Sequence, residues 1–222
     1  MNSQRHIKAV LFDLDGTLLD TLRDLAEAMN FVLRSRNLPE HPLEKYRYYV
    51  GEGATILVKK ALPDNMRDPE TVQEILKEYL DRYSKKWDIH TRPYPGIPDL
   101  LDRLQGEQII LTILSNKMHD FTLQCTRKFL GKWDFARVYG ERPPIPRKPD
   151  PAGALKIAKE LKIKPENFIY LGDTAIDMKT ANRAGMFPVG VTWGFRPKEE
   201  LIDAGAEAII EAPEELYSLI LD

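Results

Sequence analysis

The sequence predicts an α/β fold in which a largely parallel sheet is flanked by helices and an all-helical segment follows the first strand. Short, continuous apolar runs recur along the chain, and the first, at 7–12, leads directly into Asp13. Runs of this kind are typical of strands that are buried on both faces. Helical patterns separate the later runs, and this alternation indicates βαβ units with parallel pairing.

Five apolar runs are predicted as strands and four intervening stretches as helices. The strands are expected at 7–12, 108–114, 167–171, 187–191 and 208–210. The helices are expected at 98–104, 118–130, 151–161 and 173–184. The proline-rich passage 141–149, between the helices predicted at 118–130 and 151–161, is predicted to be an ordered surface loop of the core.

The segment after the first strand shows only helical periodicity. Apolar residues recur every three or four positions in two series, at 22–33 and 72–83, with a shorter helix predicted between them. No strand is predicted there, and the turn-rich sequence 92–96 marks the return of the chain. The predicted division is a core of residues 1–17 and 93–222 and a helical domain of residues 18–92.

The composition excludes several classes of protein. The formal net charge of −2 gives no global positive field, so neither nucleic acid nor a membrane surface is expected as a partner. No apolar run approaches the roughly 20 residues that a membrane span requires. The single cysteine, Cys125, cannot form an internal disulfide, and residues 1–6 lack the apolar region of a signal peptide, so a cytoplasmic location is predicted. Composition leaves monomer and homodimer equally open.

Polar side chains follow the predicted strands at one edge of the sheet. Asp13 and Asp15 follow the first strand, Ser115 and Asn116 the second, and Asp173 follows the strand at 167–171. Lys148 precedes a predicted helix, and Asp177 lies one helical turn beyond Asp173. Open parallel sheets bind ligands beyond the carboxyl ends of their strands. We therefore expect these groups to form one site.

The residue types at this edge suit phosphoryl transfer. The carboxylates of Asp13 and Asp173, a carbonyl near Asp15 and the carboxylate of Asp177 offer the hard oxygen ligands that Mg²⁺ prefers. Asp13 is the predicted nucleophile, and Asp15, two residues on, is close enough to act as general acid and base. Phosphate binding is predicted for the groups that can donate to phosphoryl oxygens: Thr17, Ser115, Asn116 and Lys148.

Each of these motifs alone also fits a purely structural role. A D-x-D sequence can form a turn, Ser-Asn can cap a helix, a lysine in a loop is commonly solvated, and acids favour a helix start. These readings do not explain why all four occur in this order, each at a strand end or loop. Their joint occurrence favours a catalytic role for the four motifs.

The same residues give the chain a resemblance to the haloacid dehalogenase-like hydrolase superfamily over nearly its whole length. The matching motifs are Asp13-x-Asp15-Gly16-Thr17, Ser115, Lys148-Pro149-Asp150-Pro151 and Gly172-Asp173-x-x-x-Asp177. The resemblance implies a Rossmann-like core with helices on both faces and a helical cap that closes over the substrate. An acid at Asp15 is unlike true dehalogenases, and Leu14 is unlike the transport ATPases of the superfamily.

Within the superfamily the chain is most similar to phosphoglycolate phosphatases, through its sequences at 50–54, 172–178 and 190–196. The resemblance implies a Mg²⁺-dependent phosphatase acting on a small phosphorylated metabolite. A phosphoglucomutase-type isomerase, an inorganic pyrophosphatase and a phosphorylated signalling module are the alternatives. Glu52, between two glycines, is the predicted specificity residue. Arg142 and Arg147 either contact a substrate carboxylate or simply solvate their loop.

Overall fold

The computed structural model describes residues 6–221, so residues 1–5 and 222 of the predicted core lie outside the described residues. The strands are β1 Ala9–Phe12, β2 Leu19–Asp20, β3 Arg92–Pro93, β4 Ile110–Met118, β5 Phe135–Glu141, β6 Phe168–Gly172, β7 Phe187–Val191 and β8 Ala208–Ile210. The helices are α1 Leu22–Ser35, α2 Leu43–Tyr49, α3 Ala54–Ala61, α4 Pro69–Ser84, α5 Ile97–Gly106, α6 His119–Leu130, α7 Ala152–Leu161, α8 Ala175–Ala184, α9 Lys198–Asp203 and α10 Glu215–Leu221. Among the described residues no helix has the length and apolar character that a membrane span requires.

Six strands form one parallel sheet in the order β5-β4-β1-β6-β7-β8. The predicted α/β fold with a Rossmann-like parallel sheet is therefore confirmed. The chain order reverses on either side of β1, which lies between β4 and β6. Such a switch point opens a crevice beyond the carboxyl ends of these three strands.

The sheet is covered by helices on both faces, as predicted. Along β1, Val10 and Phe12 pack into one apolar cluster with α5 and α6, while Ala9 and Leu11 pack into another with α7 and α8. Because successive strand side chains point to opposite faces, burial on both sides requires an unbroken apolar run. The run at 7–12 therefore predicted the central strand correctly.

Helices α1 to α4 provide most of a third apolar cluster. It is built from the repeating apolar positions of α1 and α4, with side chains from α2 and α3 between them: Leu25, Met29, Leu33, Tyr46, Val58, Ile75, Tyr79 and Tyr83. The three- and four-residue spacing places these side chains on one face of each helix. Packing among the four helices accounts for the helical pattern of this segment.

Two features of the chain differ from the sequence prediction. A short antiparallel pair, β2 with β3, joins the helical segment to the sheet, although no strand was predicted in the segment 18–92. Two residues per strand are too few for a visible periodicity. The edge strand β5 was also missed. Its side chains are mostly half-buried and its sequence contains Arg137, so it lacks the continuous apolar run of the inner strands.

Asp24 of α1 holds the end of the helical segment, at residues 90–91, by hydrogen bonds. Its buried carboxylate accepts hydrogen bonds from the backbone N–H of His90 at 3.0 Å, the backbone N–H of Thr91 at 2.9 Å and the Thr91 hydroxyl at 2.7 Å. Asp24→Ala would leave these donors without their charged acceptor. We expect it to lower the free energy of unfolding by about 2–4 kcal/mol, measured by urea denaturation.

The matched control for Asp24 is Glu27→Ala, in the same helix. The Glu27 side chain is 54% exposed and pairs with Arg23 on the surface, so its loss should change the free energy of unfolding by less than about 1 kcal/mol. Equal effects of the two substitutions would contradict the role given to Asp24.

Candidate active site

The predicted site residues converge at the switch point beside β1. Asp13 follows β1 directly, Ser115 lies near the end of β4, and Asp173 follows β6. Since β4, β1 and β6 are neighbours, their carboxyl ends bring these side chains together. Strand β4 extends to Met118 rather than ending at 114 as predicted, so Ser115 and Asn116 lie within its last residues.

Three carboxylates form the centre of the site. Asp13, Asp173 and Asp177 each offer an oxygen within 4.8 Å of the others, and all three side chains are buried. Burial raises the pKa of Asp13 to about 7, although Lys148 opposes the shift. Burial, with the charges of Asp177 and Asp13, raises the pKa of Asp173 well above its usual value. The cluster holds more negative charge than a buried site tolerates alone.

Lys148 is the cation that lies against this cluster. Its Nζ lies 2.8 Å from Asp13 Oδ1 and donates a hydrogen bond to Asp177 Oδ1 at 2.7 Å. Burial alone would lower the pKa of Lys148, but Asp13 and Asp177 raise it above its usual value, so the ammonium stays charged. One ammonium therefore contacts two of the three carboxylates in the cluster.

These residues fit a hard divalent cation. Asp13 Oδ1 is buried and its one charged neighbour among the described contacts is the Lys148 ammonium at 2.8 Å. Three neighbouring buried carboxylates, of which two contact one ammonium, are the arrangement that Mg²⁺ would complete, since it takes few protein oxygens and keeps room for water and phosphate.

Asp173 and Asp177 are fixed by their own hydrogen bonds. Asp173 accepts from the Thr17 hydroxyl at 3.2 Å and from the Phe195 N–H at 2.8 Å. Asp177 is the third residue of α8 and forms a capping box with Thr174, which explains its distance of four residues from Asp173. Thr17, predicted to bind phosphate, is fully buried with its hydroxyl on Asp173.

Gly16 allows the two acidic loops to approach each other. Its φ is +90°, which favours glycine, and a Cβ there would overlap the carboxylate of Asp173. The D-x-D-G-T sequence therefore turns sharply against the loop after β6. This close approach holds Asp13 and Asp173 in one cluster.

Asp15 lines the site and has a partner that was not predicted from the sequence. Lys117 Nζ donates to both Asp15 carboxylate oxygens, at 3.1 and 3.2 Å. Burial alone would lower the pKa of Lys117, but Asp15 raises it well above its usual value. Sequence reasoning missed Lys117, because nothing in its spacing points to Asp15, 102 residues away.

A cavity of about 50 Å³ lies between these core residues and the helical segment. Its floor contains Asp13, Asp15, Ser115 and Lys117, and the Ser115 hydroxyl accepts a hydrogen bond from the Lys117 N–H at 3.2 Å. Its roof is mainly apolar and comes from the helical segment: Leu25, Val50, Ala54, Leu57, Tyr79, Leu80 and Tyr83. The reactive groups thus face a largely apolar space.

The loop 50–53 of the helical segment docks on the core through its backbone. Three successive carbonyls accept hydrogen bonds from core side chains: Val50 from Arg196 at 3.1 Å, Gly51 from Asn116 at 3.0 Å and Glu52 from Arg147 at 3.1 Å. We call this set the carbonyl clasp. Arg147, for which sequence left two roles open, thus contacts the loop backbone and Glu141.

The side chain of Glu52 points away from the cavity. Its carboxylate pairs with Lys60 at 2.5 Å and is 42% exposed. The proposed specificity role of Glu52 stays a prediction, and in this arrangement its backbone, not its carboxylate, contacts the core. Arg142 lies over the Tyr139 ring and beside His119, which accounts for it without a ligand.

The chain is similar to known phosphatases in both sequence and structure. Residues 10–191 match the family model described as haloacid dehalogenase-like hydrolase. A phosphoglycolate phosphatase from Nitrosospira multiformis is 33% identical, over 96% of each chain. An N-acetylmuramic acid 6-phosphate phosphatase from Pseudomonas aeruginosa is 32% identical, over 96% of this chain and 95% of that one. A crystal structure from Lactobacillus delbrueckii subsp. bulgaricus superposes with a TM-score of 0.91 at 28% identity, over 97% and 98% of the two chains.

Proposed function

Since the chain belongs to the haloacid dehalogenase-like hydrolases and is a phosphatase, we propose that it hydrolyses a small phosphomonoester through an aspartyl-phosphate on Asp13. The leading candidate substrate is 2-phosphoglycolate. The observation that carries the proposal is the placement of the buried Asp13 carboxylate, which faces the cavity and lies 2.8 Å from Lys148. Helices α1 to α4, within the predicted domain 18–92, are proposed to be the cap over this cavity.

The first half of the reaction transfers the phosphoryl group to Asp13. One carboxylate oxygen attacks phosphorus in line with the bond to the leaving oxygen, and that bond breaks as the new P–O bond forms. Asp15, which lines the same cavity, donates a proton to the departing alkoxide. The products of this half are the free alcohol and the aspartyl-phosphate.

The second half releases inorganic phosphate. Asp15, now deprotonated, takes a proton from a water molecule whose oxygen attacks phosphorus, and the bond between phosphorus and the Asp13 oxygen breaks. Lys148 and the Ser115 hydroxyl are placed to bind the phosphoryl oxygens in both halves. The apolar roof limits entry of further water.

Mg²⁺ is the proposed cofactor. Asp13, Asp173 and Asp177, together with the main-chain carbonyl of Asp15, are the proposed ligands, with Asp177 direct or through water. When bound, the ion supplies positive charge that offsets the carboxylates and the phosphoryl oxygens. Lys148 alone cannot offset them, because it already contacts two buried carboxylates of a cluster of three.

The cavity favours a small leaving group over a sugar. Its volume of about 50 Å³ is small beside the roughly 300–1,000 Å³ of common ligand pockets. A two-carbon acid such as glycolate needs less room than the amino sugar acid in the Pseudomonas aeruginosa relative's name. The small cavity volume supports 2-phosphoglycolate as the proposed substrate over larger phosphomonoesters.

A phosphate-release screen tests the proposed function. The protein with Mg²⁺ is incubated with 2-phosphoglycolate, pyrophosphate, sugar phosphates and N-acetylmuramic acid 6-phosphate, and kcat/KM is measured for each. We expect the highest value for 2-phosphoglycolate. A higher value for pyrophosphate would support the pyrophosphatase alternative. Isomerised sugar phosphate without free phosphate, from a bisphosphorylated hexose, would contradict hydrolysis.

The acid–base role of Asp15 gives a separate prediction. Asp15→Asn keeps the main-chain carbonyl but cannot move a proton, so kcat on an alkyl phosphate should fall by roughly 10²–10⁴-fold. Mg²⁺ should still raise the melting temperature of the variant, which calorimetry measures. Near-normal turnover of an alkyl phosphate by the variant would remove Asp15 from this role.

A further inference from the structure

Two adjacent residues of β4 connect the helical segment to the charged groups of the site. Asn116 contacts both the loop 50–53 and Lys148, and Lys117 contacts both α4 and Asp15. We propose that Asn116 and Lys117 are positioning residues that make the placement of Lys148 and Asp15 depend on the docked helical segment. The inference rests on the proposed roles of Lys148 and Asp15.

Asn116 uses its whole side-chain amide for this connection. Its Oδ1 accepts from the Lys148 backbone N–H at 2.9 Å, and its Nδ2 donates to the Lys148 carbonyl at 3.0 Å. The same Nδ2 donates to the Gly51 carbonyl at 3.0 Å. Asn116 is buried, so these groups have no water to replace lost partners. The amide therefore holds the backbone of Lys148 and the loop of the helical segment at once.

Lys117 makes the corresponding connection with its ammonium. Two N–H groups are directed at the Asp15 carboxylate, and Nζ lies 4.8 Å from the centre of the Tyr83 ring. This distance is within the range of cation–π attraction. Tyr83 belongs to the last turn of α4 and is buried in the helical cluster. Asp15 therefore has a partner whose other neighbour comes from the helical segment.

The two connections reach different parts of the site. Asn116 holds the backbone of Lys148, and Lys117 holds the carboxylate of Asp15. Their contacts on the helical segment, Gly51 and Tyr83, belong to different elements. Displacement of the segment as a unit would remove both contacts together, and the phosphate-binding cation and the acid–base would lose support at the same moment.

Leaving-group dependence separates positioning of Asp15 from a general structural role. An alkyl phosphate needs a proton on its leaving oxygen, whereas acetyl phosphate releases a stable carboxylate without one. We measure kcat/KM, with Mg²⁺, for acetyl phosphate and for the best alkyl phosphate of the screen. This parameter reports phosphoenzyme formation and not its later hydrolysis.

For Lys117 we expect a selective loss. Lys117→Met should lower kcat/KM on the alkyl phosphate by about 10²-fold, the size expected for a misplaced catalytic group, and on acetyl phosphate by far less. Tyr83→Leu, a change on the helical segment alone, should show the same selectivity at smaller size. Tyr83→Phe keeps the ring and should lose less activity on the alkyl phosphate than Tyr83→Leu. The pair Tyr83→Leu and Tyr83→Phe keeps the test decisive if Lys117→Met fails to fold. Equal loss on both substrates, or none, would overturn the assignment.

For Asn116 we expect a loss without selectivity. Lys148 faces the phosphoryl oxygens of every substrate, so Asn116→Ala should lower kcat/KM equally for the alkyl and acetyl phosphates, by about 10²-fold, with melting curves to confirm folding. Unchanged activity, or a loss confined to the alkyl phosphate, would overturn the role of Asn116. Wild-type turnover decides the proposed function separately, since only the ratios among variants test this inference.

Discussion

Asp13→Asn is expected to abolish turnover, lowering kcat by roughly 10⁴-fold or more, because an amide oxygen is a poor nucleophile and no other side chain can take its place. Asp13 lies against Lys148 and close to the carboxylates of Asp173 and Asp177, and its side chain lines the cavity. Steady-state phosphate release with Mg²⁺ measures the effect. Retention of more than a few per cent of wild-type turnover would remove Asp13 from the role of nucleophile.

The same variant should remain folded, which separates lost chemistry from lost structure. Burial raises the pKa of Asp13 to about 7, above its ordinary value, so the free energy of unfolding that this group contributes is present at low pH and lost as the pH rises through 7. Asparagine carries no such charge. In EDTA at pH 8 we expect Asp13→Asn to melt no lower than wild type. As the pH falls from 7 toward 4, the melting temperature of the wild type should rise relative to that of the variant.

Lys148→Met should damage stability as well as activity. The substitution leaves Asp13 and Asp177 buried without their ammonium, and breaking a buried ion pair from one side costs about 3–5 kcal/mol. Urea denaturation in EDTA at pH 8 measures this loss. Turnover should fall too, because the phosphoryl oxygens lose a cation.

The control for Lys148→Met is Lys156→Met, since Lys156 forms an exposed pair with Glu160. That change should alter the free energy of unfolding by less than about 1 kcal/mol. Mg²⁺ should restore part of the stability of Lys148→Met, because an ion bound to the folded carboxylates favours the folded state. A loss no larger than that of the control would contradict the buried pairing of Lys148.

The sequence predicted the parts of the molecule that depend on patterns of neighbouring residues. The apolar run of β1 predicts a strand buried on both faces, and the repeating apolar positions of α1 and α4 predict helices with one buried face. Asp13, Lys148 and Asp173 could be grouped because parallel strands end at one edge. The structure brings all three together, as it does Ser115 and Asp177.

Contacts between distant segments were beyond such reasoning. The pairing of Lys117 with Asp15 and the position of Tyr83 depend on how the helical segment lies on the sheet, which no periodicity records. The direction of a side chain was equally hidden. Thr17 turns to Asp173 and Glu52 to Lys60, and residue type alone gave no reason to expect those partners over a phosphate or a substrate.

The carbonyl clasp bears on how substrate choice could be re-engineered. Its three acceptors are main-chain oxygens of Val50, Gly51 and Glu52, and every residue type supplies such an oxygen. A library that randomises the side chains of Val50 and Glu52 would therefore keep the acceptors that hold the loop to the core. Gly53 should stay constant, because its φ is +91° and a Cβ there would crowd Arg147 at 2.9 Å. The side chains of this loop can therefore change while its main-chain hydrogen bonds to the core are kept.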